Sequence, residues 1–165
     1  MISCFTFSKS YAMTGWRLGY ATGPAPAVDN MIKAIEGSAS GATTMVQKAA
    51  EAALDGPQGC VAEMVSAYRR RRDLAVDLLR EADLLTVVPE GAFYVLADVS
   101  PSGLDALELA KRLLAEREVG VAPGTAFGQV ASRAVRISLA SSDGDLREGV
   151  GRLCDLVATL GTGRP

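Results

Sequence analysis

The sequence predicts an α/β protein in three parts: an opening segment of two short strands and two helices, one long helix, and a small α/β lobe. Three observations carry this reading. From Gly59 to about Ala82 the apolar residues Val61, Met64, Val65, Tyr68, Ala75, Leu78, Leu79 and Ala82 recur at three- and four-residue steps, the period of an amphipathic helix. From Leu85 onward, short β-rich runs alternate with helix-period stretches over short connections, as in an α/β lobe. Before the long helix, Ser3 to Ser8 is built of hydroxyl, aromatic and small residues and meets its first charge at Lys9. The predicted boundaries are 1–58, 59–84 and 85–165.

Taken in order, Ser3–Ser8 reads as a short buried strand that delivers the amine of Lys9 to its end. A turn at Gly15 precedes a second strand over Leu18–Ala21, which Gly23-Pro24 closes. Pro26 suits the first turn of a helix with Val28, Ile32 and Ile35 on one face. Ser38–Ala42 is a small, polar loop. Thr43 or Thr44 caps the next helix, whose body Val46–Leu54 stops at Asp55-Gly56-Pro57. Within the long helix, Arg69-Arg70-Arg71-Arg72 spreads around the circumference and Asp73 and Asp77 follow, so the run reads as a solvated, ion-paired surface.

In the last part, Leu85–Val88 is β-rich, Pro89-Glu90-Gly91 turns, and Ala92–Val99 is a strand. A helix with Leu107, Ala110, Leu113 and Leu114 follows Ser102-Gly103. Val119–Ala122 is another strand, turned by Pro123-Gly124, and Ala134–Ala140 is the last one. There Val135, Ile137 and Leu139 share one face and Arg136 and Ser138 the other, because side chains alternate along a strand. Ser142 with Asp145 resembles a capping box, and Leu146, Val150, Leu153, Val157 and Leu160 stripe the closing helix.

Composition narrows the chemistry. The 165 residues carry a net charge of −2 with both signs interspersed, which supports neither a nucleic-acid nor a membrane partner. The three cysteines, Cys4, Cys60 and Cys154, have no pairing or metal spacing, and histidine is absent, which removes Ser-His-Asp and Cys-His catalysis and most zinc sites. Without a signal-peptide pattern or a run near the ~20 apolar residues of a membrane span, the expected location is the cytoplasm.

An ammonium at the end of a buried strand is poorly solvated, which favours the neutral amine that attacks a carbonyl. The hydroxyls of Thr6, Ser8 and Ser10 and the guanidinium fork of Arg17 surround it in sequence, a donor set for a phosphorylated aldehyde such as pyridoxal phosphate. Taken alone, the same residues also suit a lysine that snorkels from a strand end and an arginine paired with a surface carboxylate.

Ser8-Lys9-Ser10-Tyr11-Ala12-Met13-Thr14-Gly15-Trp16-Arg17-Leu18-Gly19 resembles the pyridoxal-phosphate attachment signature of class I/II aminotransferases, the aspartate aminotransferase family of fold type I. Pro89-Glu90-Gly91-Ala92-Phe93-Tyr94-Val95, Val121 to Gly128 and Val135-Arg136-Ile137-Ser138 resemble, in order and spacing, the small domain of the same enzymes. The resemblance runs from Ser3 to about Leu160. It implies that Lys9 forms the Schiff base with the cofactor, that Arg17, Ser8 and Thr6 neighbour the cofactor phosphate, and that Gly15 and Gly19 shape the turn. It also implies that Arg136 takes the substrate α-carboxylate and that Phe93 or Tyr94 lies near the substrate pocket. The implied fold is an incomplete large-domain segment with the lysine-bearing strand, a long interdomain helix and a small α/β C-terminal domain.

The family's phosphate loop, the aromatic that stacks on the cofactor ring, and the partners of its pyridine nitrogen and oxygen have no counterpart before Lys9. The expectation is therefore a C-terminal portion of an aminotransferase that works on an amino acid and a 2-keto acid, as a homodimer when complete and inactive alone. A carbon–sulfur lyase or decarboxylase of the same fold, and a non-catalytic truncated remnant, are the alternatives.

Overall fold

The computed structural model of the chain describes residues 1–162, so the last three residues of the third predicted segment lie outside it. The chain divides into two compact units, Met1–Val65 and the residues from Ser66 onward. Among the described residues no helix is long and apolar enough to cross a membrane.

The first unit opens with β1 (Ser3–Thr6), the one-turn α1 (Phe7–Ser10) and β2 (Gly19–Thr22), and continues into α2 (Ala25–Ser38) and α3 (Thr44–Asp55). Strands β1 and β2 pair antiparallel, Phe5 opposite Tyr20 and Thr6 opposite Gly19. Gly19 is required there, because a Cβ would stand 2.5 Å from the Phe5 carbonyl oxygen. Pro26 sits in the first turn of α2 and Gly56 caps α3, as the sequence predicts. One expectation is overturned: the opening strand is not buried, and it does not carry Lys9. It ends at Thr6, Phe5 is 49% exposed, and Lys9 lies on α1 and is itself exposed. The physical reason is that β1 has β2 as its one neighbour here, and a two-stranded ribbon covers little of its own surface.

Helix α4 (Gly59–Glu81) crosses the boundary in sequence, and its burial begins late, with Ala75, Val76 and Leu79. The second unit adds β3 (Tyr94–Asp98), α5 (Ala106–Arg117), the short β4 (Ala122–Pro123), β5 (Ala134–Ser138) and α6 (Asp143–Thr162). Its sheet has the order β3-β5-β4 and is antiparallel throughout. Pro123 is tolerated because β4 is an edge. Of the β-rich stretch Leu85–Val88, Leu85 alone bridges, to Ala97, while Val87 and Val88 are exposed.

One face of this sheet, with Val95, Ala97, Val135 and Ile137, packs on Leu79 of α4, Leu109 and Leu113 of α5, and Leu146, Val150, Leu153, Leu156 and Val157 of α6. Each leucine or valine withdrawn from water in this way contributes roughly 1.5–3 kcal/mol. The stripe of α5 is phased differently from the sequence reading: Ala106, Leu109, Ala110 and Leu113 are buried, whereas Leu107 and Leu114 face solvent. Asp105 sets the phase by capping α5, accepting the N–H groups of Leu107 at 2.9 Å and Glu108 at 2.8 Å. The arginine run is ion-paired as expected, Arg71 with Asp143 at 2.9 Å and Arg72 with Asp73 at 2.7 Å.

Candidate functional site

The residues read as a cofactor site come together around the one turn of α1. Thr6 caps that turn: its backbone is extended, with φ −135° and ψ 144°, and its Oγ1 accepts the Ser8 N–H at 3.2 Å. The same oxygen lies 3.0 Å from Ser8 Oγ. Thr14 donates its hydroxyl to the Ser8 carbonyl at 3.0 Å, and Arg17 donates Nη1 to the Thr14 carbonyl at 2.9 Å. Thr6, Ser8, Thr14 and Arg17 thus form one hydrogen-bonded series that encloses Lys9 in sequence. Thr14 is the member that residue-by-residue reading overlooks, since a threonine in a loop carries no signal of its own.

The loop between α1 and β2 is held in an uncommon conformation. Ala12 and Arg17, neither of them glycine, take positive φ values of 53° and 52°. A non-glycine residue in that region costs of order 1 kcal/mol or more, and such strain collects where a side chain must be aimed. Gly15 lies in the turn the sequence predicts, a short 3₁₀ segment over Thr14–Trp16 closed by the Trp16 N–H donating to the Met13 carbonyl at 3.2 Å. The loop is anchored behind by Tyr11, whose hydroxyl donates to Gln58 Oε1 at 3.1 Å, while Gln58 Nε2 donates to carbonyls at the end of α3. Phe7, the buried residue of α1, lies beneath with Tyr11 and Tyr20 at ring separations of 5.6 and 5.9 Å.

Hydroxyls and a guanidinium beside a primary amine are the donor set that a phosphorylated aldehyde calls for, so the residues present fit pyridoxal phosphate. Thr6, Ser8 and Arg17 would supply donors for a phosphate and Lys9 would supply the amine. Desolvation of Lys9, expected from a buried strand, is not provided by this unit, in which Lys9 is exposed.

The second candidate, Arg136, lies in the other unit on β5. Its strand alternates as the sequence predicts, with Val135, Ile137 and Leu139 buried and Arg136 on the face away from the core, half-buried. Its guanidinium carbon stands over two aromatic rings, 5.1 Å from the centroid of Tyr94 and 4.6 Å from that of Phe127. Tyr94 pairs with Ser138 across the ladder, which makes it a diagonal neighbour of Arg136, within reach of long side chains. Tyr94 in turn meets Phe93 edge to face at 5.6 Å. Phe127 ends the 3₁₀ turn Gly124–Phe127. Gly124 packs so tightly that a Cβ would fall 1.9 Å from the Ala131 carbonyl oxygen and 2.4 Å from that of Ala134.

Elsewhere the chemistry is quiet. Burial, reinforced by neighbouring Asp155, pushes the Cys154 thiol up from its ordinary value, which disfavours the thiolate. Among the described residues no group of histidine, cysteine and carboxylate side chains is placed to hold a metal ion.

The family model for aminotransferase class I and II matches residues 1–153. The chain is 40% identical over 149 residues to an aspartate aminotransferase of Pyrococcus abyssi, covering 89% of this chain and 38% of that protein. It is 36% identical over 151 residues to a glutamate-pyruvate aminotransferase of Escherichia coli, covering 90% of this chain and 37% of that one. The crystal structure of an aromatic aminotransferase from Pyrococcus horikoshii superposes with a TM-score of 0.91 at 37% identity, covering 96% of this chain and 43% of that one. A Thermus thermophilus aspartate aminotransferase mutant complexed with tryptophan gives 0.87 at 39% identity, covering 94% and 41%. The chain therefore spans about two fifths of the length of these relatives.

Proposed function

Since this chain belongs to the class I and II aminotransferase family, we propose that it is the lysine-bearing C-terminal portion of a pyridoxal-phosphate-dependent enzyme that moves an amino group between an amino acid and a 2-keto acid. Residues 1–58 contribute to the cofactor-binding large domain, 59–84 link, and the residues from 85 onward form the small domain. The observation that carries the reading is the hydrogen-bonded series Thr6, Ser8, Thr14 and Arg17 around Lys9.

When bound, pyridoxal phosphate supplies an aldehyde that condenses with an amine and a ring that withdraws electrons from the α-carbon. Lys9 would hold the cofactor through its Nζ and would serve as the acid and base that moves a proton at the α-carbon of the amino acid. Thr6 and Ser8 donate hydroxyls to the phosphate and Arg17 opposes its charge with a planar fork. Arg136 would take the α-carboxylate of the amino acid and of the keto acid with its planar fork.

A Lys9 that stays exposed on the one-turn α1 lacks the dry surroundings this chemistry needs. The 165-residue chain alone is therefore proposed to be inactive, and the homodimer of the complete enzyme to be the working form.

The test uses the holoenzyme with pyridoxal phosphate, a panel of amino acids and 2-oxoglutarate, following glutamate. Borohydride reduction and peptide mapping should then place the reduced cofactor on Lys9. The label on another lysine would refute the role of Lys9, and release of ammonia or carbon dioxide in place of glutamate would replace transamination by lyase or decarboxylase chemistry. Turnover by the 165-residue chain alone at about 1 per second or faster would refute its inactivity.

A further inference from the structure

Arg136 is a half-buried cation without a counter-charge. Among the described residues its guanidinium makes no ion pair and no side-chain hydrogen bond, and it stands over the rings of Tyr94 and Phe127. We propose that Phe127 and Tyr94 are positioning residues for Arg136, holding its guanidinium by their ring faces so that its N–H groups stay available to a substrate carboxylate. This rests on the reading of Arg136 as the carboxylate site.

The topology makes the arrangement specific. Strand β5 is central, and the two rings reach Arg136 from its two flanks, Tyr94 from β3 and Phe127 from the turn that follows β4. That turn is fixed by Gly124, whose close approach to the Ala131 and Ala134 carbonyls leaves no room for a side chain. An aspartate or glutamate in place of the rings would also hold the arginine, but it would occupy the same N–H donors and compete with the substrate acid. A ring face attracts the cation and occupies none of its five donors. The ordering of a flexible side chain is then largely complete before the acid arrives, which favours binding.

The test replaces Phe127 and Tyr94 by leucine, singly and together, in the holoenzyme, with Phe127→Tyr as the variant that keeps a ring face and Arg136→Lys as the control on the underlying reading. We expect the apparent KM for the amino acid to rise about two- to five-fold for one ring and about ten-fold for both. The value of kcat, the absorbance of the bound cofactor and the Phe127→Tyr variant should stay near wild type. In the 165-residue chain, NMR should show ring-current upfield shifts on the Arg136 side-chain protons that Phe127→Leu diminishes. An unchanged KM in the double variant, with Arg136→Lys raising it, would overturn the positioning role alone; so would a fall in kcat at constant KM, or absent ring-current shifts. If Arg136→Lys itself leaves KM unchanged, the carboxylate reading falls and the proposal with it.

Discussion

Two helices of this chain carry the same apolar period and bury it to opposite degrees. In α6 the stripe Leu146, Val150, Leu153 and Val157 is 1–3% exposed, whereas in α2 Ile32 and Ile35 are 49% and 47% exposed. The contrast holds for the units that contain them. Within residues 1–65, Phe7 and Ala50 are the buried apolar residues, and the rest of the described core begins at Ala75. Amphipathic periodicity states that a helix has a face to cover; it does not state what covers it. In the second unit the sheet and three helices supply the cover, while the first, with a two-stranded ribbon as its sheet, leaves Phe5, Tyr20, Ile32 and Ile35 exposed.

The sharpest way to break this comparison is to change one residue in each unit and measure both activity and stability. Lys9→Ala should reduce amino transfer in the holoenzyme by about 10³-fold or more, because in the proposed function one amine serves as anchor and as acid and base. Its effect on thermal unfolding should stay within about 0.5 kcal/mol, as for other exposed positions. A large loss of stability with activity retained would invert the assignment of chemistry to the first unit. Leu153→Ala should do the converse. At 1% exposure in the α6 core, it should cost about 2–5 kcal/mol in denaturant unfolding of the chain, and a cost near zero would show that the second unit is not the stabilising one.

How far the sequence alone led follows the same division. The ends of α3 were legible because Thr43 and Gly56-Pro57 are local signals, and the alternation around Arg136 because a strand's period is two. The phase of α5 was not, since Leu107 and Leu114 look equally apolar and the deciding bond comes from the Asp105 carboxylate. The exposure of β1 was illegible for a deeper reason: a run of aromatic and hydroxyl residues suits a central strand, and whether neighbours flank it is settled by pairing outside the run. Site geometry divides likewise. Lys9 and Arg17 stood out by type, while Thr14 and Phe127 act through partners that are remote in sequence or reached through the backbone.

A smaller effect separates local from tertiary stabilisation inside the second unit. Ser142 and Asp145 form the box anticipated at the start of α6, with the Asp145 N–H donating to Ser142 Oγ at 3.1 Å and the hydroxyl 2.7 Å from the Asp145 carboxylate. Ser142→Ala should cost about 1 kcal/mol in equilibrium unfolding, since one end-of-helix N–H loses its acceptor. Ser142→Asp should recover most of it, because a carboxylate caps the same N–H and suits the positive end of the helix. A loss as large as that of Leu153→Ala would mean that the cap, rather than the stripe, holds α6 in place.

The smallest expected effect tests the first unit directly. Ile32 belongs to the stripe that the sequence places on one face of α2, and a reader of periodicity alone would expect Ile32→Ser to cost as much as a core substitution. At 49% exposure, with no residue of α2 buried, the isoleucine has left about half of its hydrophobic gain unclaimed, and serine is a comparable helix former. The chain should therefore lose no more than about 0.5 kcal/mol in thermal unfolding, and removing an exposed branched side chain should make it less prone to associate. A loss of about 2 kcal/mol or more would mean that something covers this face in solution. The same measurement in the holoenzyme sharpens the point, because a cost that appears there and not in the 165-residue chain would locate the missing cover outside these residues.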